Sequence, residues 1–285
     1  MKRENVEIKG DLLKKLQQVE LEMLIEVDRI CRKHNIKYTI AFGTLLGAVR
    51  QGGYIPWDDD CDVIFRRSEY EKFFNACKKD LDTSRFFLQE HRTDPNYLFG
   101  YSKIRREGTV FERTGQEHIK QHGGVFMDLM IYDNIPDGMI ARTINMFELY
   151  VIRSILNSKI FKKTAYKSWS RAIYSILDLI PKDRVFHLLN KIQTKYNSKD
   201  TKLSRIYTYV EDNNDFWGHK SELFEDVDEI EFEGHKFLAT KNYKEVLTIF
   251  YGPNYMELPP EKSRHPHINA TKISFGNLFD DNPLE

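Results

Sequence analysis

The sequence predicts an α+β fold, a β-sheet core flanked by helices and carrying a helical basic insertion. Three observations predict it. Apolar residues recur at helical spacing through residues 11–33, strand-like runs bounded by turn residues fill residues 37–133, and a long helical stretch rich in Lys and Arg follows. The expected organisation is a core bearing the chemistry at 1–138, a basic helical subdomain at 139–205, and C-terminal strands with an extended arm at 206–285 that pack back on the core.

Leu12, Leu13, Leu16, Val19, Leu24, Val27 and Ile30 lie at helical spacing with charged residues between them, so residues 11–33 read as one amphipathic helix against the core. Asn35 breaks it, and KYTIAF is a first strand ending at Gly43-Thr44. The stretch AFGTLLGAVRQGGYIPWDDDCDVIF at 41–65 then reads as a strand end, a small-residue turn, a short helix, a glycine-bearing loop and a second strand. On that strand Asp58, Asp60 and Asp62 alternate, which puts three carboxylates on one face and Cys61, Val63 and Phe65 on the other.

Ser68 reads as the N-cap of a helix over SEYEKFFNACKKDL, with Glu71 three residues on and Phe73, Phe74 and Cys77 on one face. FFLQEH, YLFGYSKIR and TVFER are short strands divided by turns at 93–96 and 107–108. VFMDLMIYD is an apolar strand interrupted by Asp128, and Asp133, beside the turn at 134–136, reads as a loop residue. Between Met139 and Lys199 a dozen Lys and Arg stand against only Glu148, Asp178 and Asp183, in helices interrupted near Pro181. Ile152, Ile155, Leu156, Ile173, Ile176, Leu177 and Ile180 would form one side, with Lys159, Lys162, Lys163 and Lys167 as a basic cluster. Such a surface is either a solvated basic face or one that holds anionic lipid headgroups or a polyanionic substrate. IYTYVEDN, a strand pair around Glu233-Gly234, a helix over 243–250 and a Pro-punctuated extended arm complete the chain. Arg264, His265 and His267 on that arm are a weak phosphate signal.

Like charges repel: two carboxylates about 4 Å apart cost on the order of 4 kcal/mol at an effective dielectric of ~20. Asp58, Asp60 and Asp62 therefore need either raised pKa values or a cation among them. Hard oxygen ligands suit magnesium, with manganese as an alternative; magnesium keeps several waters and takes its remaining ligands from carboxylates and a substrate phosphate. Asp128 is a charge in an apolar run. It reads as a further metal ligand, as the base that takes the acceptor's proton, or as half of a salt bridge.

The chain has 285 residues, 41% of them apolar, and equal numbers of Lys+Arg and Asp+Glu, 43 each, which speaks against a general attraction to nucleic acid. Cys31, Cys61 and Cys77 are too few and scattered for a disulfide framework or zinc cluster, which argues for a reducing compartment. With no signal-type segment after MKRENVEIKG and no apolar run near the about 18 residues of a membrane span, the expected location is cytoplasmic, with peripheral contact at the inner face of the plasma membrane.

GTLLGAVRQGGYIPWDDDCDV resembles the signature of the LicD family of phosphotransferases, related to fukutin, within the nucleotidyltransferase-like superfamily. KIRREGT at 103–109, the MDLMIYD strand and the late FYGPNYMELPP look like family blocks in family order, whereas the basic helical segment looks variable. Thr44 stands where the wider superfamily has Ser or Gly, and Cys61 where Ile is more usual. The resemblance implies a nucleotidyltransferase-like mixed sheet and transfer of phosphocholine from CDP-choline to a sugar hydroxyl of a teichoic acid, lipopolysaccharide or other lipid-linked surface-glycan precursor. Asp60 and Asp62 would hold the metal, Asp58 or Asp128 would complete the site, and Asp128 or another carboxylate would act as base. Gly43 would let backbone approach phosphate, Thr44 would donate to it, and Arg50, Lys103 and Arg105 would contact its oxygens. Trp57 would either close the pocket, stack on a base or simply pack.

Two other readings compete. One keeps the chemistry and changes the donor to CDP-ribitol, CDP-glycerol or CDP-ethanolamine. The other is a catalytically silent glycan-binding scaffold, against which the intact set of mutually repelling carboxylates argues.

Overall fold

The computed structural model describes residues 4–207 and 218–280. Helix α1 (Gly10–Lys33) buries Leu16, Val19, Met23, Leu24, Val27 and Ile30 along one face, each contributing about 1.5–3 kcal/mol through the area it removes from water. It ends at His34, followed by Asn35 in the left-handed region at φ 52°. Strand β1 is only Thr39–Ile40; the chain turns at Phe42, whose φ is 45°, directly into α2 (Phe42–Gln51). Gly43 and Thr44 therefore belong to the first turn of a helix, not to a turn preceding it. Gly52, left-handed at φ 71°, closes that helix.

Strand β2 (Asp62–Arg66) starts later than the alternation of aspartates suggests, because the turn through Ile55 and the Asp58 amide leaves Asp58 and Asp60 on the approach to the strand. Helix α3 (Arg67–Asp80) starts one residue before Ser68, which lies inside it and is no cap. Strands β3 (Phe86–Gln89), β4 (Ser102–Arg106) and β5 (Val110–Arg113) follow, with residues 97–101 outside any strand.

The sheet is organised on β6 (Phe126–Ile135), ten residues all buried. It runs parallel to β2 and antiparallel to β4, and β1 and β3 extend the sheet outward from β2 and β4. Beyond the β4 contact, the second half of β6 pairs with β7 (Leu203–Ile206), which pairs with β8 (His219–Lys220). The sheet is thus mixed and the fold is α+β. Helices α1 and α3 pack on each other and on β2, β4 and β6.

Residues 139–194 form α4 (Met139–Leu156), α5 (Ser158–Thr164), α6 (Ser168–Leu177) and α7 (Lys182–Thr194), with the expected interruption before Lys182. Leu149, Ile152 and Leu156 of α4 and Val185, Phe186 and Leu189 of α7 build a second core around Ile135 and Tyr207. Of the stretch IYTYVEDN, Ile206 is the last residue of β7 and Tyr207 follows it; residues 208–213 lie outside the described residues. Strands β9 (Val227–Phe232) and β10 (His235–Thr240) form the expected hairpin, with Glu233 and Gly234 both at positive φ. Helix α8 (Tyr243–Tyr251) leads into the extended arm, and β11 (Ala270–Ser274) returns to pair with β5.

Asp133 is a β6 residue, not a loop residue. It is almost fully buried, takes both ends of the Arg67 guanidinium at 2.9 and 2.5 Å, and accepts from Asn197 at 2.6 Å. Cys31, Cys61 and Cys77 are buried free thiols, and among the described residues no helix is long and apolar enough to cross a membrane.

Candidate active site

Asp62, the first residue of β2, is the register partner of Asp128 on the parallel strand β6, so two carboxylates occupy adjacent positions on neighbouring strands. Asp58 and Asp60 join them from the preceding segment. All four line one cleft of about 500 Å³. The convergence expected from the sequence is present, but the strand supplies one of the three neighbouring aspartates and the loop supplies two.

The loop is held by specific bonds. Gln17 of α1 donates to the Asp58 carbonyl at 2.9 Å, the Asp62 amide donates to the Thr44 hydroxyl at 3.0 Å, and the Asp128 amide donates to the Cys61 carbonyl at 3.0 Å. Asp59 points away from the cleft and its carboxylate accepts from the amides of His267 and Ile268 at 2.7 and 2.9 Å. The C-terminal arm is thereby pinned beside the site, and His267 and Ile268 become part of its wall.

The cleft is strongly anionic. Burial raises the Asp58 carboxyl to about 6, against the opposing pull of His267, and its Oδ2 is a buried oxygen with no hydrogen-bond partner. Burial first, then the charges of Asp62 and Asp58, push Asp60 well above the usual carboxylate range. Beneath them Glu20 of α1 is fully buried and is also raised, by burial and then by Asp59 and Asp58. Glu20 was not singled out in the sequence, yet it sits in the apolar stripe of α1 between Leu16 and Leu24, and a charge at such a position is the signal that identifies it.

Asp128 differs from its neighbours because its carboxylate forms a buried ion pair with Lys103. Burial pulls the Lys103 amine down to about 7, while Asp128 supports its charge. Lys103 does not line the cleft. Neither does Arg105, which spends its guanidinium on Gln89 Oε1 at 2.7 Å and the Gly124 carbonyl at 2.6 Å, and which burial lowers to about 10. The basic side chains at the cleft are instead Arg113 of β5 and Arg153 of α4, with Asn157 following α4. Sequence reasoning missed these because they come from separate elements.

Gly43 lines the cleft in the first turn of α2, whose early amides have no capping side chain. A Cβ there would collide with the Asp58 carboxylate, so the glycine is what lets Asp58 and the helix N-terminus share this wall. Thr44 does not face the cleft; its hydroxyl is the acceptor that fixes Asp62. Arg50 lines an adjoining chamber of about 420 Å³, which shares Gly43, Asp58, Tyr251 and His267 with the first. Its Nη2 is buried without a partner, and burial lowers its pKa. Trp57 lines the same chamber, with Arg50 and Arg264 over its ring at 6.0 and 5.7 Å. His265 lines neither chamber.

A larger cavity of about 580 Å³ lies between the β3–β4 region and α7 and meets the aspartate cleft at Tyr101. Its charged residues are largely committed, Arg67 to Asp133 and Arg92 to Glu90 and Glu71. The clustered aspartates are in the smaller cleft.

The donor set fits a magnesium ion in chemistry: hard carboxylate oxygens, one of them orphaned and buried, with raised affinity for positive charge. Among the described residues no three His, Cys, Asp or Glu side chains already surround a single point as metal ligands do. A cation here would take fewer protein ligands and rely on water and phosphate for the rest.

Residues 35–145 match the LicD/FKTN/FKRP nucleotidyltransferase domain family, a segment that contains all four cleft aspartates. The chain is similar to the lipopolysaccharide cholinephosphotransferase LicD of Haemophilus influenzae, 27% identical over 278 residues, which covers 90% of this chain and 95% of that protein. Shorter similarities link it to an uncharacterized protein of Rickettsia prowazekii, 38% identical over 77 residues (20% of this chain, 29% of that protein). A second, from Rickettsia typhi, is 50% identical over 42 residues (15% and 14%).

Proposed function

With a LicD-family domain at residues 35–145, the chain is a member of that family, and on this premise we propose that it moves phosphocholine from CDP-choline to a sugar hydroxyl of a lipid-linked surface-glycan precursor, releasing CMP. The observation that carries the proposal is the convergence of Asp58, Asp60, Asp62 and Asp128 on one cleft beside the N-terminus of α2 and the cations Arg113 and Arg153.

In this reading Asp60 and Asp62 would hold a magnesium ion, or manganese in its place, with Asp58 beside them adding negative charge and water and donor phosphate supplying the remaining ligands. When bound it supplies positive charge against the donor's diphosphate. Arg113, Arg153 and the first amides of α2 orient phosphate oxygens. The acceptor hydroxyl attacks the choline-bearing phosphorus, the bond from that phosphorus to the bridging oxygen breaks, and CMP leaves with the electron pair. The hydroxyl proton passes to Asp128. Assigning Asp128 as base and Asp58 to the metal side of the cleft follows from their partners: Lys103 already balances the charge of Asp128, whereas Asp58 Oδ2 has none. Lys103 and Thr44 act as positioning residues for Asp128 and Asp62. Lys103 and Arg105 are not proposed as phosphate ligands.

Incubation with CDP-choline, magnesium and a lipid-linked glycan acceptor should release CMP, and Asp60→Asn and Asp62→Asn should each abolish it. Normal release by both variants would overturn the site. Asp58→Asn should weaken magnesium-dependent donor binding, whereas Asp128→Asn should keep binding and lose transfer. A different CDP-alcohol is the second reading, favoured by the two guanidiniums that already cover Trp57. Thermal shifts with CDP-choline, CDP-ribitol, CDP-glycerol and CDP-ethanolamine, each with magnesium, decide between donors.

A further inference from the structure

Helix α4 is apolar on two sides. Leu149, Ile152 and Leu156 fill the second core, while Ile140, Ile144, Phe147 and Val151, at i, i+4, i+7 and i+11, form a stripe on the opposite side that is open to solvent. Ile140 is 80% exposed and Phe147 68%. Helix α6, which packs against α4 and α5, repeats the pattern with Trp169, Ile173 and Ile176, and Leu179 follows in the turn. None of its residues is buried. A helix whose apolar residues run all round belongs in an interior, and soluble chains rarely leave so many large apolar side chains together in water.

We infer that the α4–α6 face lies in the surface of an anionic lipid bilayer, with the two stripes inserted at the level of the headgroups. The charge around it selects this occupant. Arg142, Lys159, Lys163, Lys167 and Arg171 accompany the stripes, whereas Glu148 is the one acidic residue in 139–177. Lys162 is paired with Asp178, so Lys163 and Lys167, both exposed, carry the free charge. Two copies docked face to face by a two-fold axis would set like charges together, while anionic headgroups complement them. Tyr166 and Trp169 stand where the basic helix α5 gives way to the apolar α6, the position amphipathic aromatics take at a membrane boundary. No described helix is long and apolar enough to cross, so the element lies in the interface plane.

The same helix reaches the chemistry. Arg153 of α4 and Asn157 after it line the aspartate cleft. On the transferase reading, a lipid-anchored acceptor would therefore be offered to the cleft by the helix that meets the bilayer.

Sedimentation of the full chain with phosphatidylcholine vesicles, with and without phosphatidylglycerol, tests the surface without donor or acceptor, so it stands or falls apart from transfer activity. The wild type should co-sediment with the anionic vesicles. Ile144→Ser with Phe147→Ser, and separately Trp169→Ser with Ile173→Ser, should lower the partition by roughly 10-fold or more at both low and high salt, with circular dichroism unchanged. Lys163→Glu with Lys167→Glu should weaken binding most at low salt. Wild type remaining in the supernatant, or apolar variants that bind as well as it does, would overturn the inference. So would a concentration-dependent dimer that the serine variants make monomeric while no vesicles are bound, which would assign the face to a second copy.

Discussion

Lys103 and Asp128 face each other across the antiparallel register of β4 and β6 and are joined by an ion pair almost closed to water, with Lys103 1% exposed. The pair divides the carboxylates of the cleft into two kinds. Asp128 has a cation built into the fold, while Asp58 and Asp60 do not, and the difference in their partners is the physical basis for giving them different roles.

Breaking that pair should cost more than the pair itself is worth. Lys103→Met leaves Asp128 unpaired among other acids and should destabilise by about 3–5 kcal/mol in urea unfolding. Adding Asp128→Leu should recover part of the loss, because the orphaned charge is then gone. Equal stabilities for the single variant and the wild type would show that the pair is open to solvent.

Removing charge from the cluster should have the opposite sign. Asp60→Asn relieves repulsion and burial cost together, so the metal-free variant should melt higher than the metal-free wild type, by on the order of 1 kcal/mol, while transfer falls by about 10²–10³-fold or more. Adding magnesium with donor should raise the wild-type midpoint and leave the variant's little changed.

Gly43→Ala places a methyl group into the Asp58 carboxylate. A shift of Asp58 is the least costly relief, so donor binding should weaken by about tenfold or more with a stability loss of about 1 kcal/mol. A calorimetric donor affinity equal to that of wild type would mean that Asp58 is free to move.

Glu22 of α1 gives a pH dependence remote from the cleft. Burial alone would raise its carboxyl, but hydrogen bonds from Arg106 and Arg85 outweigh this and hold it below its ordinary value of about 4.5. A lowered folded pKa means that the stabilisation is complete above the unfolded value and is lost as pH falls through the folded one. Glu22→Gln should therefore cost about 1 kcal/mol at pH 7, limited by solvent access to the side chain, and the gap to wild type should close as acid is added. A gap that stays constant from pH 7 to about 3 would assign the cost to packing.

The fold was most legible where one residue pattern decides one element. The stripe of α1, the apolar run of β6 and the Glu233-Gly234 hairpin are local, and each stands where the periodicity or turn chemistry puts it. Pairings were not legible. Nothing in TVFER says that β5 leaves β4 and takes β11 as its neighbour, because that choice is made by residues more than 150 positions later. The site follows the same division. The spacing of Asp58, Asp60 and Asp62 foretold a shared wall, but alternation cannot tell a strand from an extended approach to one, and only Asp62 lies on β2. Lys103 and Arg105 looked like phosphate ligands because basic residues beside a motif do so; their burial, invisible in sequence, commits them to Asp128, Gln89 and Gly124. Arg113 and Arg153, which do reach the cleft, carry no local mark.

The grip of Asp59 on the amides of His267 and Ile268 has a consequence for the order in which the chain is made. The acidic motif emerges from the ribosome about 200 residues before the backbone that Asp59 binds, and before Tyr251, which completes the same wall. Until then the part of the wall that Tyr251, His267 and Ile268 supply is missing from the aspartate cleft. On the transferase reading, a nascent chain that already carries the acidic motif still lacks one wall of the cleft, so donor binding should follow the synthesis of His267 and Ile268 rather than that of the motif.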